Sequence, residues 1–102
     1  MATHYLTADL LSGLDGVGHG FFTRQGGASE GIYQTLNCGL GSDDAQQAVR
    51  TNRGLVAGAM GVSTERLCTV YQIHSPDCVV LDGPQAEPAH ADALHCLGLI
   101  AL

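Results

Sequence analysis

The chain has 102 residues, ten acidic residues against four basic ones, and a formal net charge of −6. That balance excludes nonspecific binding to nucleic acid or to an anionic membrane surface, both of which need a basic face. The length suits one small domain or a piece of a larger one, and 14 glycines leave many backbone positions with no side chain to pack.

No run approaches the roughly 18 apolar residues of a membrane span. The opening residues, Met1 to Leu14, lack the basic start and continuous apolar stretch of a secretory signal. Cys38, Cys68, Cys78 and Cys96 show no Cys-x-x-Cys spacing. Reduced thiols in a cytoplasmic protein are therefore expected.

Thr7 to Val17 reads as an approach segment with turn signals at Gly13 and at Asp15-Gly16. A strand is predicted from Gly18 to Thr23. The segment from Arg24 to Ser42 is glycine-rich and long for a connection, and loops of that length are usually functional or disordered. Its apolar anchors Ile32, Tyr33 and Leu36 favour order. A helix follows, with Asp43 as its cap and Gln46 completing a capping box. Ala45, Ala48, Val49, Asn52, Leu55, Val56, Ala59 and Met60 recur at helical spacing. Asn52 is the polar member of that stripe. Gly54 and Gly58 lie inside the helix, which close packing against a sheet would explain, and Gly61 ends it.

After a turn at Ser63-Thr64-Glu65, a strand is predicted from Leu67 to His74. Alternation puts Cys68, Val70, Gln72 and His74 on one face and Thr69, Tyr71 and Ile73 on the other. Ser75-Pro76-Asp77 reads as a turn, Cys78 to Leu81 as a strand, and Gln85 to His90 as an exposed loop. Ala91 to Leu102 is mostly apolar and reads as a core strand, which normally has partners on both sides.

Chemistry concentrates at two places. Arg24 stands before Gly26-Gly27, and no lysine is present anywhere in the chain. A guanidinium offers paired donors and glycines let backbone N–H groups approach, so this segment suits a phosphate or carboxylate. A plain turn with a surface arginine fits the same residues. His74 closes an apolar strand on the face of Gln72. It suits a base, a metal ligand or a hydrogen-bonded structural histidine. Cys78, His90, His95 and Cys96 are the nearby donors in sequence, and none forms a recognised ligand pair for zinc. Cys68 lies about 20 Å along an extended strand from His74, too far to be its catalytic partner.

In order along the chain stand His19-Gly20-Phe21-Phe22-Thr23-Arg24 with Gly26-Gly27, then Ser29, Gly31, Tyr33, Leu36-Asn37 and Gly39. Asp43-Asp44, Asn52-Arg53, Gln72-Ile73-His74 and Ala91-Asp92-Ala93-Leu94 follow. This ordered set resembles the YfiH family, also called the multicopper polyphenol oxidase (laccase-like) or purine nucleoside phosphorylase family. The resemblance implies an α/β (α+β) fold, a sandwich of mixed sheets flanked by helices. It implies a metal, zinc with copper as the alternative, held by two histidines and one cysteine. The implied activity is phosphorolysis of purine nucleosides such as adenosine and inosine, with adenosine deamination beside it.

By the same resemblance His74 is the catalytic residue and first metal ligand, Arg24 and Asn37 line the substrate pocket, and Gln72 supports His74. The implied partners are a purine nucleoside and phosphate. The family's other ligands lie in a Thr-Ala-Asp-Cys and a His-Ala-Gly-Trp motif, neither of which occurs here. The expectation is therefore the N-terminal part of one such domain, inactive or nearly so alone. Two alternatives stand beside it: a non-catalytic anion-binding or interaction module, and a copper-dependent polyphenol oxidase.

Overall fold

Regular elements are short in the computed structural model, which describes residues 4–85, 87–96 and 100–101, with only the backbone described at 96, 100 and 101. The chain divides into a first unit, Met1–Met60, and a second, Gly61–Leu102.

In the first unit β1 (Tyr5–Leu6) pairs antiparallel with β2 (Phe21–Phe22). Tyr5 stands opposite Phe22, and their rings lie 4.9 Å apart. The strand predicted from Gly18 to Thr23 is thus shortened to Phe21–Phe22. Its partner lies ahead of the approach segment, in two residues too few to show alternation. Between the strands, α1 (Asp9–Ser12) begins at Ala8, whose N–H donates to His19 Nε2 at 2.8 Å.

The long second helix, α2 (Gln46–Ala59), buries Val49, Asn52, Arg53, Val56 and Ala57. These recur at three- and four-residue steps, the stripe of a helix laid on a core. The predicted stripe is rotated slightly: Arg53 joins the buried face, whereas Ala45 and Ala59 are exposed. Asp43 is not the cap. Ala45 holds that position with no side-chain cap bond, since its methyl has no acceptor, while the neighbouring Asp44 carboxylate accepts from Ser29, Asn37 and the Ala45 N–H. Gly58 is exposed and an added Cβ would meet nothing within 4 Å, so close packing does not explain it. Gly61 ends the helix as predicted, at φ +78°, a left-handed position that favours glycine.

The second unit holds β3 (Leu67–Cys68), β4 (Val70–Tyr71), β5 (Cys78–Leu81), β6 (Ala89–His90), β7 (Ala93–Cys96) and β8 (Ile100–Ala101). Three parallel pairs form: β3 with β8, β4 with β6, and β5 with β7, the last in register from Cys78↔Ala93 to Leu81↔Cys96. The single strand predicted from Leu67 to His74 is broken at Thr69, whose N–H donates to Gln85 Oε1 at 2.7 Å instead of to a ladder. The predicted loop from Gln85 to His90 contributes β6. Within the apolar end of the chain, β7 and β8 are strands, while 97–99 and 102 lie outside the described residues. Among the described residues of this unit, Leu67, Cys68 and Ala91 are the buried apolar ones.

The composition is α/β, helices with small, mostly parallel sheets. Among the described residues no helix is long and apolar enough to cross a membrane.

Candidate functional site

In the first unit the glycine-rich segment is ordered by its own backbone. The Arg24 carbonyl accepts from Thr35 N at 2.8 Å, Leu36 N at 2.9 Å and Thr35 Oγ1 at 2.6 Å. Ser29 N donates to the Thr35 carbonyl at 2.8 Å, and Gly27 N to Thr35 Oγ1 at 3.1 Å. Arg24 therefore has a fixed backbone and an exposed side chain. With Gln25, Gln34 and Thr35 it lines an open cleft of about 260 Å³. Gly26 turns the chain at φ +89°, and Gly27 lets two backbone stretches meet. The glycine pair thus builds the loop, and the Gly27 N–H is already used within it.

A buried polar network bolts this loop to α2. Asn52 is fully buried. Its amide donates to Ser29 Oγ and to the Asn37 carbonyl, each at 2.8 Å, and its Oδ1 accepts from Ala28 N at 2.7 Å. Ser29 in turn donates to Asp44 Oδ2 at 2.6 Å. Asn37 Nδ2 donates to Ser42 Oγ at 2.9 Å and to Asp44 Oδ2 at 3.3 Å, while its Oδ1 accepts from Gly39 N at 3.1 Å. Arg53, also buried, donates from Nη1 to the Cys38 carbonyl at 3.1 Å. Burial pushes the Cys38 thiol up, and the Arg53 charge partly opposes this.

The Ser29 hydroxyl holds the Asp44 carboxyl below its usual range, with Asn37 and the Ala45 N–H adding to it against the effect of desolvation. A carboxyl depressed on folding binds its proton more readily when unfolded. Its stabilising contribution is thus full above the ordinary carboxylate pKa and is lost as pH falls through the lowered one. Urea midpoints measured against pH should show this acid limb in the native chain, and Asp44→Asn should shrink it.

The second unit presents His74. It is exposed, with φ +59°, a left-handed conformation uncommon for a residue with a Cβ. Asp92 Oδ1 spans the turn around it, accepting from Ile73 N at 3.0 Å, Ser75 N at 2.8 Å and Ser75 Oγ at 3.1 Å. The Asp92 carboxyl is held below its usual range by the Ser75 N–H first, then by that of Ile73. The backbone on either side of Asp92 is anchored as well. Ala91 N donates to the Tyr71 carbonyl, and Asp92 N and Ala93 N to that of Asp77.

Of the residues singled out in the sequence, Arg24 borders a cleft, and Asn37 spends its side-chain amide on Ser42, Asp44 and Gly39. His74 lies on an exposed turn rather than in a strand, so the alternation that paired its face with Gln72 stops before it. Among the described residues no hydrogen bond joins Gln72 to His74. Nor does any group of three or more His, Cys, Asp or Glu side chains among them form a cluster fit to hold a metal ion. The described donors alone therefore do not make a centre for zinc or copper. Sequence reasoning gave no role to Asp44 or Asp92, whose signals were only their places in the ordered motif set.

Residues 18–97 match the model of a family described as multi-copper polyphenol oxidoreductase laccase. The chain is 38% identical over 71 residues to a purine nucleoside phosphorylase of Streptomyces coelicolor, covering 70% of this chain and 29% of that protein. It is 35% identical over 77 residues to a purine nucleoside phosphorylase of Corynebacterium glutamicum, covering 76% and 31% respectively. Its fold is similar to the crystal structure of the Bacillus licheniformis hypothetical protein YfiH, with a TM-score of 0.68 at 30% identity over 76% of this chain and 32% of that one. The chain thus spans about three-tenths of the length of these relatives.

Proposed function

The chain belongs to the multi-copper polyphenol oxidoreductase laccase family, and from that premise we propose that it supplies the N-terminal part of a purine nucleoside phosphorylase. The observation that carries this reading is Arg24: an exposed guanidinium on a pinned backbone, bordering a cleft, in a chain whose relatives bear that activity in their names.

In phosphorolysis a phosphate oxygen forms a bond to C1′ of the ribose as the C1′–N9 bond breaks. The purine leaves with the bonding pair and takes up a proton, giving free base and ribose 1-phosphate. Arg24 would bind the phosphate dianion through its paired N–H donors and hold an oxygen toward the sugar. Asn37 would act by keeping the loop in shape, since its amide is committed there. We assign His74 to catalysis and to metal ligation, with Gln72 beside it as a substrate contact. His74 is one donor, so a zinc or copper ion would need further donors from outside the described residues, and no step is routed through it. The free thiols of Cys38, Cys68 and Cys78 support a cytoplasmic location.

Loss of a charged hydrogen bond costs about 1.5–3 kcal/mol, roughly 10- to 150-fold in affinity. Arg24→Gln in the protein that carries this chain is expected to raise the phosphate KM within that range and leave the inosine KM nearly unchanged. Hypoxanthine release that does not depend on phosphate would sink the reading.

A further inference from the structure

The turn that carries His74 does not hold itself. A residue with a Cβ pays about 1–2 kcal/mol to sit in the left-handed region, and no glycine or asparagine stands at this position to relieve it. What stabilises the conformation is a side chain from far along the chain: Asp92 Oδ1, which gathers the N–H groups of Ile73 and Ser75 and the Ser75 hydroxyl. A single carboxylate oxygen thus spans His74, with charge-assisted bonds roughly twice as strong as neutral ones. Asp92 is itself placed by backbone on both sides, through Ala91 N to Tyr71 and through Ala93 N to Asp77.

We infer that Asp92 is a positioning residue, which fixes the direction of the His74 imidazole by clamping the backbone on either side of it. The inference rests on the reading of His74 as functional. It deepens that reading by naming what presents the imidazole. Asp92 touches neither substrate nor any reacting atom in this account. Its bonds go to the backbone around His74 and to the Ser75 hydroxyl, so it acts on the imidazole through that backbone.

Two variants give a graded series. Asp92→Ala removes every acceptor. Asp92→Asn keeps one oxygen as a weaker, uncharged acceptor. In nuclear magnetic resonance spectra of the ¹⁵N-labelled chain, a left-handed residue gives a strong cross-peak between its own amide and α protons. That cross-peak at His74 is expected to be strong in the native chain, weaker in Asp92→Asn and reduced to the medium strength of an ordinary negative-φ residue in Asp92→Ala. Hydrogen exchange at the Ile73 and Ser75 amides should quicken in the same order, while the amides of β5 and β7 keep their native exchange rates. Where Asp92→Ala does not fold, Asp92→Asn decides alone: unchanged exchange at Ile73 and Ser75 overturns the inference.

Turnover is read in the protein that carries this chain. Loss of a group that orients a functional histidine typically costs 10- to 100-fold. Asp92→Ala should lower kcat for inosine phosphorolysis by about that factor with little change in KM, and Asp92→Asn should restore most of it. If His74→Ala abolishes turnover while Asp92→Ala loses the turn and keeps full kcat, the positioning role is overturned and the reading of His74 stands. If neither variant affects turnover, the reading of His74 fails and the role falls with it.

Discussion

Asn52→Asp is expected to unfold the first unit under conditions where the native chain is fully folded. The substitution barely changes shape, so its effect is chemical. Asn52 uses both amide protons, toward Ser29 Oγ and the Asn37 carbonyl, and it is fully buried. A carboxylate has no proton to give. It would set an oxygen against the Asn37 carbonyl, leave that carbonyl unpaired and bury a negative charge near Asp44, which the same serine already serves. Each buried unpaired group costs about 1–3 kcal/mol and an uncompensated buried charge about 3–5. One of each comes to about 4 kcal/mol even at the low end, a large share of the roughly 5–15 kcal/mol that holds a small domain together. Urea denaturation should show a fall in midpoint with little change in slope. Asn52→Ala, which adds no charge, should lose about half as much. Equal loss in the two variants would show that the buried charge does not matter.

Gly27→Ala is expected to come next in size. An added Cβ would lie 2.1 Å from the Thr35 carbonyl oxygen and 2.6 Å from Leu36 Cα. These are backbone atoms and cannot rotate away. They are tied to the Arg24 carbonyl and to Ser29 N, so making room means opening the loop. Overpacking of this kind costs about 3 kcal/mol. Phosphate binding should weaken as well, because the Arg24 backbone hangs on the same bonds. Gly31→Ala is the control. Gly31, unlike Gly27, has a left-handed φ, +64°, and its Cβ would meet nothing within 4 Å. It should cost about 1 kcal/mol, the conformational term alone. Thermal denaturation and phosphate titration by calorimetry on the two variants separate steric from conformational loss.

The helix was the most legible element, because a 3.6-residue period over fourteen residues is a strong local signal. Its cap was misplaced for a long-range reason. Asp43 was read as the cap, but the cap lies two residues later, at Ala45, and the neighbouring Asp44 faces Ser29 and Asn37 across the loop. Asn52 stood out as a polar break in an apolar stripe, yet its partners lie 15 to 24 residues away and no spacing rule reaches them. The strands of the second unit were harder. Leu67–Cys68 and Val70–Tyr71 are too short for alternation to show, and they pair with segments near the end of the chain. Alternation carried the reading straight through to His74. What ends the strand is Asp92, 17 to 19 residues downstream of the groups it binds. The two candidate residues were visible as residue types in an ordered motif set. The groups that hold them were visible only as unexplained members of that set.

The buried amide of Asn52 also sets the timescale of the loop it holds. A surface loop whose only ties are solvent-exposed can open alone, at small cost and many times a second. Here Ala28, Ser29 and Asn37 are bonded to a side chain that is sealed within the packed face of the helix. Releasing them requires the helix to come away as well, so loop and helix open as one cooperative body. If Arg24 takes phosphate as proposed, the phosphate would meet a surface already in its binding shape. On that proposal none of its affinity would be lost to a small competent population, and its arrival would be limited by encounter rather than by waiting for the loop.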